Sequence, residues 1–481
     1  MDIRSVSSML LEHFPYEPTA GQQQLLRELA CFLTISWKKS RAHFILSGYA
    51  GTGKTTVVKT LVDCLPRLGK RTVLLAPTGR AAKVMTSYTG KEANTIHRKI
   101  YLARTTKEGT ISLKLQTNYH KHTLFIVDEA SMISSQTNTD AYLFSARNLL
   151  DDLVDYVFSG ENCRLLFIGD AAQLPPVGLD HSPALDLSFL KNNYHLDLDG
   201  FQLTEVVRQA KQSGILMNAT AVRDQITAEK LEFPVFSLKK FRDIHCVVSS
   251  ELEELFQTAF SGKGKENTVV ICRSNKRANL FNREIRRRIF FLEGEIASGD
   301  YLMVVKNNYF WVPPESSAGF IANGDIIQLQ SVRKTEDLYG FRFADVTMRF
   351  IDYPEEKSLD FKIILNTLMA ESAALSQEDN NRLFHAVMED FSEICSRKSR
   401  IEKVKASPWF NALQVKFAYA MTCHKTQGGQ WETVFIDQGY LTEKMINREY
   451  TRWLYTAVTR ATRQLYFVNF EERFFKYEDR S

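Results

Sequence analysis

The fold of this 481-residue chain is decided by one stretch of sequence: Gly48-Tyr49-Ala50-Gly51-Thr52-Gly53-Lys54-Thr55. The apolar run 44–46 leads into this stretch, and residues 56–65, whose composition suits a helix, follow it. A strand, a glycine-rich loop and a helix in this order form the P-loop pattern G-x-x-x-x-G-K-[ST]. Its glycines let backbone N–H groups point inward, and the N-terminus of the helix adds positive potential for phosphates. The stretch therefore predicts a nucleotide-binding α/β domain.

Two pairs of residues supply the groups that phosphate chemistry needs. In the P-loop, Lys54 would reach the β- and γ-phosphates of ATP, and the hydroxyl of Thr55 would hold Mg²⁺. The apolar run 123–127 ends in Asp128 and Glu129. The first carboxylate can hold the water shell of Mg²⁺, and the second can activate the attacking water. This spacing predicts an ATP-hydrolysing site.

Two further apolar runs, residues 72–76 and 165–168, extend the same sheet. Because helical stretches separate the four strands, we expect a parallel, doubly wound sheet whose loops all leave at one edge. Gln173 follows the last of these strands and could orient water or sense the γ-phosphate at that edge. Gln22, upstream of the P-loop, could read the edge of adenine, because an amide offers a donor and an acceptor side by side.

A hairpin is predicted between the second and third strands of this sheet. Residues 99–103 and 110–115 read as its two strands around the turn 107–109, since apolar and polar residues alternate in the second of them. This alternation would bury one face of the hairpin against the sheet and leave the polar turn exposed.

The second half of the chain predicts another α/β unit with a small β domain inserted in it. The strand 269–272 begins this unit, and strands return from residue 417 onward. Between them, residues 299–354 contain short strands separated by Gly, Asn and Asp, which is typical of a small barrel. Ser376 is predicted to cap a long amphipathic helix in the stretch 370–405.

Composition describes an ordinary globular protein of two to four domains. The net charge of +5 gives only a weak electrostatic preference for polyanionic partners. Seven cysteines, with no C-x-x-C pair, argue against a disulfide framework or a zinc site. Without a signal peptide or an apolar run of membrane length, we expect a reduced, soluble, cytoplasmic protein.

These stretches, taken in order, resemble the motifs of superfamily 1 helicases, and they are most similar to the RecD-like and Dda-like branch, which translocates 5′ to 3′. The resemblance covers about residues 18–468. The motifs that carry it are Gln22; the P-loop; Ala76-Pro77-Thr78-Gly79-Arg80-Ala81-Ala82; Asp128-Glu129-Ala130-Ser131-Met132; Gly169-Asp170 with Gln173-Leu174-Pro175-Pro176-Val177; Arg208-Gln209; His424-Lys425-Thr426-Gln427-Gly428; and Val458-Thr459-Arg460-Ala461.

The resemblance implies an ATP-dependent DNA helicase whose ATP lies between two RecA-like motor domains. The first motor would comprise residues 1–85 and 122–205, and the second residues 206–298 and 411–481. A small hairpin subdomain would match residues 86–121, and an SH3-like barrel insertion, which in this chain carries a helical extension, would occupy 299–410. Because the hairpin follows the Pro77-Thr78 loop that should hold the DNA, we also expect it to act as a wedge.

The resemblance also implies a role for each site residue. Lys54, Glu129, Gln173, Arg208 and Arg460 would be catalytic, with both arginines reaching the γ-phosphate from the second motor. ATP would contact Gln22, Gly48, Tyr49, Ala50, Gly51, Thr52, Gly53, Lys54, Thr55, Thr56, Gly428 and Gln430, and Mg²⁺ would contact Thr55 and Asp128. Single-stranded DNA would contact Pro77, Thr78, His97, Thr422, His424 and Lys425. Gln430 stands where many relatives have a Glu that accepts from the ribose hydroxyl, which an amide could still do.

Two other functions remain open at this level: a nucleotide-gated DNA-binding subunit of a larger nuclease or repair complex that does not unwind, and a helicase that tracks on RNA. The intact set of hydrolytic groups favours the motor, because a clamp need not keep all of them. We expect a monomer that binds single-stranded DNA and duplex forks. The stretch 370–405 has no close counterpart in a minimal barrel, so it could be a tower reaching the first motor, a docking site for a protein partner or a packing helix.

Overall fold

The computed structural model describes residues 2–34, 41–105, 111–136, 148–207, 212–228, 233–238, 241–262, 264–312, 321–351 and 357–476. Two parallel sheets and a closed barrel form its framework. No helix among these residues is long and apolar enough to cross a membrane.

The first sheet has six parallel strands in the order β3-β2-β6-β7-β1-β8. Its strands are β1 (Ala42–Gly48), β2 (Arg71–Ala76), β3 (Ala93–Thr95), β6 (Thr123–Val127), β7 (Arg164–Gly169) and β8 (Asp197–Leu203). Its helices are α1 (Ile3–Glu12), α2 (Ala20–Thr34), α3 (Lys54–Cys64), α4 (Gly79–Thr89), α5 (Ile96–Ile100), α6 (Leu149–Ser159) and α7 (Leu187–Tyr194). Phe44 and Leu46 point into a core with α1, α2 and α3, whereas Ile45 points into a second core with α6. Helices therefore cover both faces, which confirms the predicted doubly wound sheet.

The second sheet has five parallel strands in the order β10-β19-β18-β11-β17. They are β10 (Ile244–Val247), β11 (Thr268–Cys272), β17 (Ala420–Thr422), β18 (Trp431–Asp437) and β19 (Ala461–Val468). The helices of this half are α8 (Gly214–Thr227), α9 (Leu252–Ala259), α10 (Gly264–Asn267), α11 (Asn275–Glu284), α14 (Cys423–Thr426) and α15 (Arg448–Val458). Two short strands, β9 (Phe236–Ser237) and β20 (Phe475–Lys476), pair beside it. This unit is the predicted second α/β domain.

The barrel is closed by strands β12 (Tyr301–Val304), β13 (Ile326–Leu338), β14 (Phe341–Phe350), β15 (Leu359–Ile364) and β16 (Leu413–Phe417). Neighbouring strands are antiparallel except β15 and β16, which run parallel. The last strand lies beyond residue 410, where the sequence placed the end of the insertion. Strand β16 could not be assigned to the barrel from its own sequence, because its partners are remote in the chain.

The stretch 370–405 forms two helices, α12 (Gln377–Glu389) and α13 (Arg397–Lys405), so the prediction of one long helix is wrong. Ser376 caps α12 as predicted, since its side chain accepts from the N–H of Asp379. Ser396 caps α13 in the same way and divides the stretch. The buried faces of both helices pack on the barrel in one apolar cluster: Phe341, Phe343, Ile364, Leu383, Val387, Val404 and Ala412. Packing on the barrel, and not on the first sheet, is therefore the observed arrangement.

A buried ion pair holds the two ends of the barrel insertion together. Arg286, in the turn that continues α11, donates from Nε and Nη2 to the two carboxylate oxygens of Asp300 at 2.8 and 2.9 Å. Tyr419 donates its hydroxyl to Asp300 at 3.2 Å and accepts from the N–H of Tyr301 at 3.1 Å. Only Ala418 and Tyr419 separate β16 from β17.

The hairpin consists of β4 (Tyr101–Thr105) and β5 (Ile111–Leu115), which pair antiparallel. The prediction that its first strand begins at Lys99 is wrong, because residues 96–100 form α5. Thr95 caps this helix, and Ile96 and Ile100 are buried one turn apart. The predicted turn 107–109 lies outside the described residues. The hydroxyl of Tyr101 donates to Asp152 Oδ2 on α6 at 2.6 Å and anchors the base of the hairpin.

Candidate active site

The P-loop curls between the end of β1 and the start of α3. Gly51 and Gly53 have φ angles of +74° and +83°, which side-chain-bearing residues rarely adopt. Lys54 folds back over the loop, and its Nζ donates to the carbonyl oxygens of Gly48 at 2.6 Å and of Tyr49 at 2.9 Å. Two of the predicted ligands, Thr55 and Thr56, lie in the first turn of α3, where helix N–H groups have no intrahelical partner. The arrangement suits a phosphate chain.

Gln22 braces this loop from α2. Its Nε2 donates to the carbonyl of Thr52 at 3.0 Å, and its Oε1 accepts from the N–H of Thr19 at 3.0 Å. A Cβ on Gly53 would lie 2.4 Å from Gln22 Nε2, so the loop and the amide are in close contact. Both ends of the amide are used within the chain, and the contact with adenine stays a prediction.

Asp128 and Glu129 follow β6 as predicted. Asp128 accepts from the hydroxyl of Tyr88 at 2.7 Å and from the N–H of Glu129 at 2.8 Å. Glu129 has a φ of +51°, which turns the chain sharply at this point. Burial raises the pKa of the Glu129 carboxyl, and the neighbouring Arg460 opposes the rise. Sequence reasoning missed Tyr88, because nothing in α4 marks it as a partner of the Asp128 carboxylate.

The two sheet domains face each other across a cleft, and α15 of the second contacts the loops after β1 and β7 of the first. Arg460, which follows α15, is 3% exposed, and its Nη1 lies 3.9 Å from Glu129 Oε1. Arg460 also donates to the carbonyls of Thr456 and Gly429, at 3.1 and 3.2 Å. The structure therefore brings together the carboxylate and the arginine that the sequence selected from opposite domains.

Further contacts cross the same cleft. Thr456 Oγ1 accepts from the N–H of Leu174 at 2.9 Å, and Gln427 Nε2 donates to the carbonyl of Leu174 at 2.6 Å. The preceding residue, Gln173, is 7% exposed, and its buried Oε1 has no hydrogen-bond partner among the described residues. A buried amide oxygen without a partner suits a group that must bond to a ligand or to water.

Tyr455 also joins the two sheet domains, and sequence reasoning gave it no role. Its hydroxyl donates to Asp170 Oδ2 at 2.5 Å and accepts from the N–H of Ala50, in the P-loop, at 2.9 Å. Its position five residues before Arg460, on the helix that carries the arginine into the cleft, is the signal that could have identified it.

The loop after α14 packs on the first sheet domain. Gly428 has a φ of +71°, and a Cβ there would lie 2.8 Å from Ala81 Cβ and 3.1 Å from Thr78 Oγ1. Arg80 donates to the carbonyl of Gln430 at 3.2 Å, and its guanidinium lies 3.9 Å from the ring centroid of Trp431. A cavity of about 440 Å³ is lined by residues of both domains and the barrel, including Thr55, Arg80, Gln430 and Trp431.

The residues predicted to contact DNA fall in two places. Pro77 and Thr78 follow β2, and the Thr78 hydroxyl caps α4 beside Gly324 of the barrel. Thr422 ends β17, and it is followed by His424 and Lys425 in α14. These two loops meet where Gly428 approaches Thr78.

The pKa values of the basic groups among these residues are lowered. Burial lowers the pKa of His424, and burial together with Lys416 lowers the pKa of Lys425 to about 7. His97 lies apart from the two loops, in α5 at the base of the hairpin, and burial lowers its pKa to about 4. Arg208 lies outside the described residues, although the N–H of the preceding Val207 donates to the carbonyl of Gly51 at 3.0 Å.

Comparison with known proteins gives two family matches: an AAA domain over residues 19–235, and a UvrD-like helicase C-terminal domain over residues 417–468. The chain is 24% identical to the uncharacterized protein R530 of Acanthamoeba polyphaga mimivirus, over 88% of this chain and 95% of that one. It is 25% identical to the ATP-dependent DNA helicase Dda of Enterobacteria phage T4, over 90% of this chain and 95% of that one. It is 35% identical to the ATP-dependent RecD2 DNA helicase of Deinococcus radiodurans, over 36% of this chain and 21% of that one.

Proposed function

We propose that this chain, which belongs to the superfamily 1 helicases of the RecD-like and Dda-like branch, uses ATP hydrolysis to move 5′ to 3′ along single-stranded DNA and to separate duplex DNA. In this proposal the first-sheet domain is the first motor, and the second-sheet domain is the second motor. ATP would lie in the cleft between them.

One observation carries the proposal: Arg460 of the second motor lies 3.9 Å from Glu129 of the first. Glu129 follows the strand that also presents Asp128, so it stands where a carboxylate can take a proton from the attacking water. Arg460 is a cation from the opposite domain, and such an arginine stabilises the charge that develops during phosphoryl transfer. Hydrolysis would therefore depend on how the two motors are placed, which is what a motor requires.

The residues present fit Mg²⁺ and the phosphates of ATP. Thr55 offers a hydroxyl and Asp128 a carboxylate, which are the hard oxygen ligands that Mg²⁺ prefers. Mg²⁺, when bound, would neutralise phosphate charge. Lys54 would exchange its bonds to the Gly48 and Tyr49 carbonyls for bonds to phosphate oxygens. Gln173, whose amide oxygen has no partner within the described part of the chain, would orient water beside Glu129.

The track for DNA is proposed along the loops that follow β2 and β17. Thr78, Thr422 and Lys425 lie at these strand ends, and the approach of Gly428 to Thr78 makes the two loops adjacent. Contacts of this kind hold the phosphate backbone and read no sequence, so binding would be salt-dependent and largely indifferent to sequence. Opening and closing of the cleft would change the relative grip of the two motors and produce a step.

The hairpin is proposed as the element that parts the duplex. Its base is held to the first motor by the bond between Tyr101 and Asp152. Because the Tyr101 hydroxyl is bonded to the first motor, Tyr101 is held in place there. Tyr119 is 85% exposed, so its ring is available to stack on a base. We propose that the chain works as a monomer in the cytoplasm, where a reducing environment suits its seven free cysteines.

The test compares strand displacement on three matched duplexes: one with a 5′ tail, one with a 3′ tail and one blunt. ATP turnover is measured in parallel with single-stranded DNA, with single-stranded RNA and with neither. We expect DNA to stimulate turnover and only the 5′-tailed duplex to open. The Glu129→Gln variant is the control for displacement that does not depend on hydrolysis.

Each other outcome points to a different function. Preferential opening of the 3′-tailed duplex would contradict the proposed direction. DNA-stimulated turnover without any displacement would favour the clamp of a larger complex. Stimulation of ATP turnover by RNA alone would mean that the chain moves along RNA and not along DNA.

A further inference from the structure

We propose that Tyr455 is an internal stand-in for phosphate in the nucleotide-free protein. Its hydroxyl accepts a hydrogen bond from the P-loop N–H of Ala50 until a nucleotide phosphate displaces it. The inference deepens the proposed function and rests on it, because it assumes that the P-loop binds the phosphates of a nucleotide. It assigns a positioning residue that connects nucleotide binding to the placement of Arg460.

The hydroxyl of Tyr455 is oriented by the two groups that contact it. It donates its proton to Asp170 Oδ2 at 2.5 Å, so the contact with the Ala50 N–H, at 2.9 Å, uses an oxygen lone pair. The P-loop N–H therefore meets an acceptor oxygen, as it would meet an oxygen of a phosphate. Burial and the Asp170 carboxylate raise the pKa of the Tyr455 phenol, which keeps the proton in place.

The contact crosses the cleft. Tyr455 is 1% exposed and belongs to α15 of the second motor, whereas Ala50 and Asp170 both belong to the first. Its ring is buried, and its hydroxyl is hydrogen-bonded to the loop at the Ala50 N–H. A change in that single contact thus changes how α15 is held against the P-loop.

Other bonds within the chain also hold the loop. The Lys54 ammonium donates to two loop carbonyls, the Thr52 hydroxyl donates to the carbonyl of Tyr49 at 2.8 Å, and the N–H of Val207 donates to the carbonyl of Gly51. A bound phosphate, which accepts hydrogen bonds, would draw the Lys54 ammonium from these carbonyls and the Ala50 N–H from Tyr455, whose side chain comes from the other motor. Release of the Tyr455 hydroxyl from Ala50 would remove one of the bonds that hold α15, the helix that leads to Arg460, against the first motor.

The phenol lowers the free energy of the nucleotide-free state more than that of the bound state, because its bond to Ala50 exists only in the former. Tyr455→Phe removes that bond and leaves the ring in place. The half-buried N–H of Ala50 then loses its partner until a phosphate supplies one. We expect the Kd of the variant for ADP and for a non-hydrolysable ATP analogue to fall by roughly fivefold or more. Loss of the bond to Asp170 affects both states and largely cancels.

Two matched variants separate this effect from a general loosening of the cleft. Tyr450→Phe removes a hydroxyl from the same helix, one that is buried without a hydrogen-bond partner among the described residues. Thr456→Val removes a different bond across the cleft, the one to the N–H of Leu174, and does not touch the P-loop. We expect both variants to keep the Kd of the parent within about twofold.

The measurements are equilibrium titrations with ADP and with the analogue, in the absence of DNA, together with thermal unfolding of each variant. An unchanged or higher Kd for a folded Tyr455→Phe overturns the inference, and so does an equal fall in Thr456→Val. If the parent chain itself binds neither nucleotide, the proposed function fails instead.

If Tyr455→Phe fails to fold, the inference is tested by the rate of hydrogen exchange at the Ala50 amide of the parent chain. Slow exchange of the Ala50 amide without nucleotide supports the stand-in, and fast exchange overturns it.

Discussion

Arg460 and Arg463 lie three residues apart and offer a matched test of the site. We expect Arg460→Ala to lower ATP turnover by about a thousandfold or more, the range seen when an arginine that stabilises phosphoryl transfer is removed. Arg463 follows in β19, where its side chain is 71% exposed and pairs with Glu432 at 2.9 Å. We expect Arg463→Ala to leave turnover within about twofold of the parent, because the Arg463 side chain is directed to solvent and to Glu432.

The two substitutions should also differ in their effect on stability. Arg460→Ala removes the buried donor to the carbonyls of Thr456 and Gly429 and takes the nearby cation away from Glu129. Loss of one member of a buried charged set costs about 3–5 kcal/mol in the free energy of unfolding. The exposed pair of Arg463 with Glu432 contributes about 0.2–1 kcal/mol. The larger loss of stability expected for Arg460→Ala follows from the burial of Arg460, whereas the side chain of Arg463 is exposed.

The assay measures steady-state turnover with saturating single-stranded DNA, the Kd for that DNA, and chemical unfolding of each variant. Arg460→Lys is included because it keeps the charge but loses the planar fork of donors, and it serves as the catalytic test if the alanine variant unfolds. We expect DNA binding by a folded variant to be nearly intact.

Normal turnover in Arg460→Ala, or a comparable loss in Arg463→Ala, would refute the assignment of the arginine that acts across the cleft.

Three other expectations concern the P-loop, the DNA loops and the hairpin. Lys54→Ala should weaken nucleotide binding, whereas Glu129→Gln should bind MgATP normally and stop turnover; near-normal turnover in the latter, measured beside a binding titration, would contradict the role of the carboxylate. Burial and Lys416 lower the pKa of Lys425 to about 7, so its charge is present below that pH and is lost as the pH rises through it. Binding of single-stranded DNA should therefore weaken between about pH 6 and pH 8, and Lys425→Met should flatten this dependence. Parallel pH profiles of the parent and the variant would exclude a role for the Lys425 charge. Replacing residues 102–114 with a short Gly-Ser loop should abolish duplex opening and spare DNA-stimulated turnover, and unwinding at the parent rate would mean that the wedge lies elsewhere.

The two sheets could be predicted because buried parallel strands appear as continuous apolar runs, and because the site residues follow directly after those runs. Asp128, Glu129 and Gln173 were located in this way, since each follows the end of its strand. The expectation that Arg460 reaches the γ-phosphate came from the resemblance and not from spacing, and its 3.9 Å approach to Glu129, more than three hundred positions away, is seen only in the structure.

Other features depend on contacts that no local pattern records. Strand β16 joins the barrel through partners far away in the chain, and Tyr455 gains its role only where α15 meets the P-loop. The helix α5 was missed for another reason. Ile96 and Ile100 have the spacing of a helix face and Thr95 is a good cap, but the neighbouring strand-like residues outweighed both signals.

The short connection between β16 and β17 limits how the barrel can behave. Two residues join the barrel to the strand that ends at Thr422, and the buried ion pair of Arg286 with Asp300 fastens the other end of the insertion at the same place. A load applied to the barrel surface therefore reaches Thr422 with almost no slack. We therefore expect the barrel to move together with the second sheet domain, and any change of shape between the two sheet domains to be concentrated in the cleft between them.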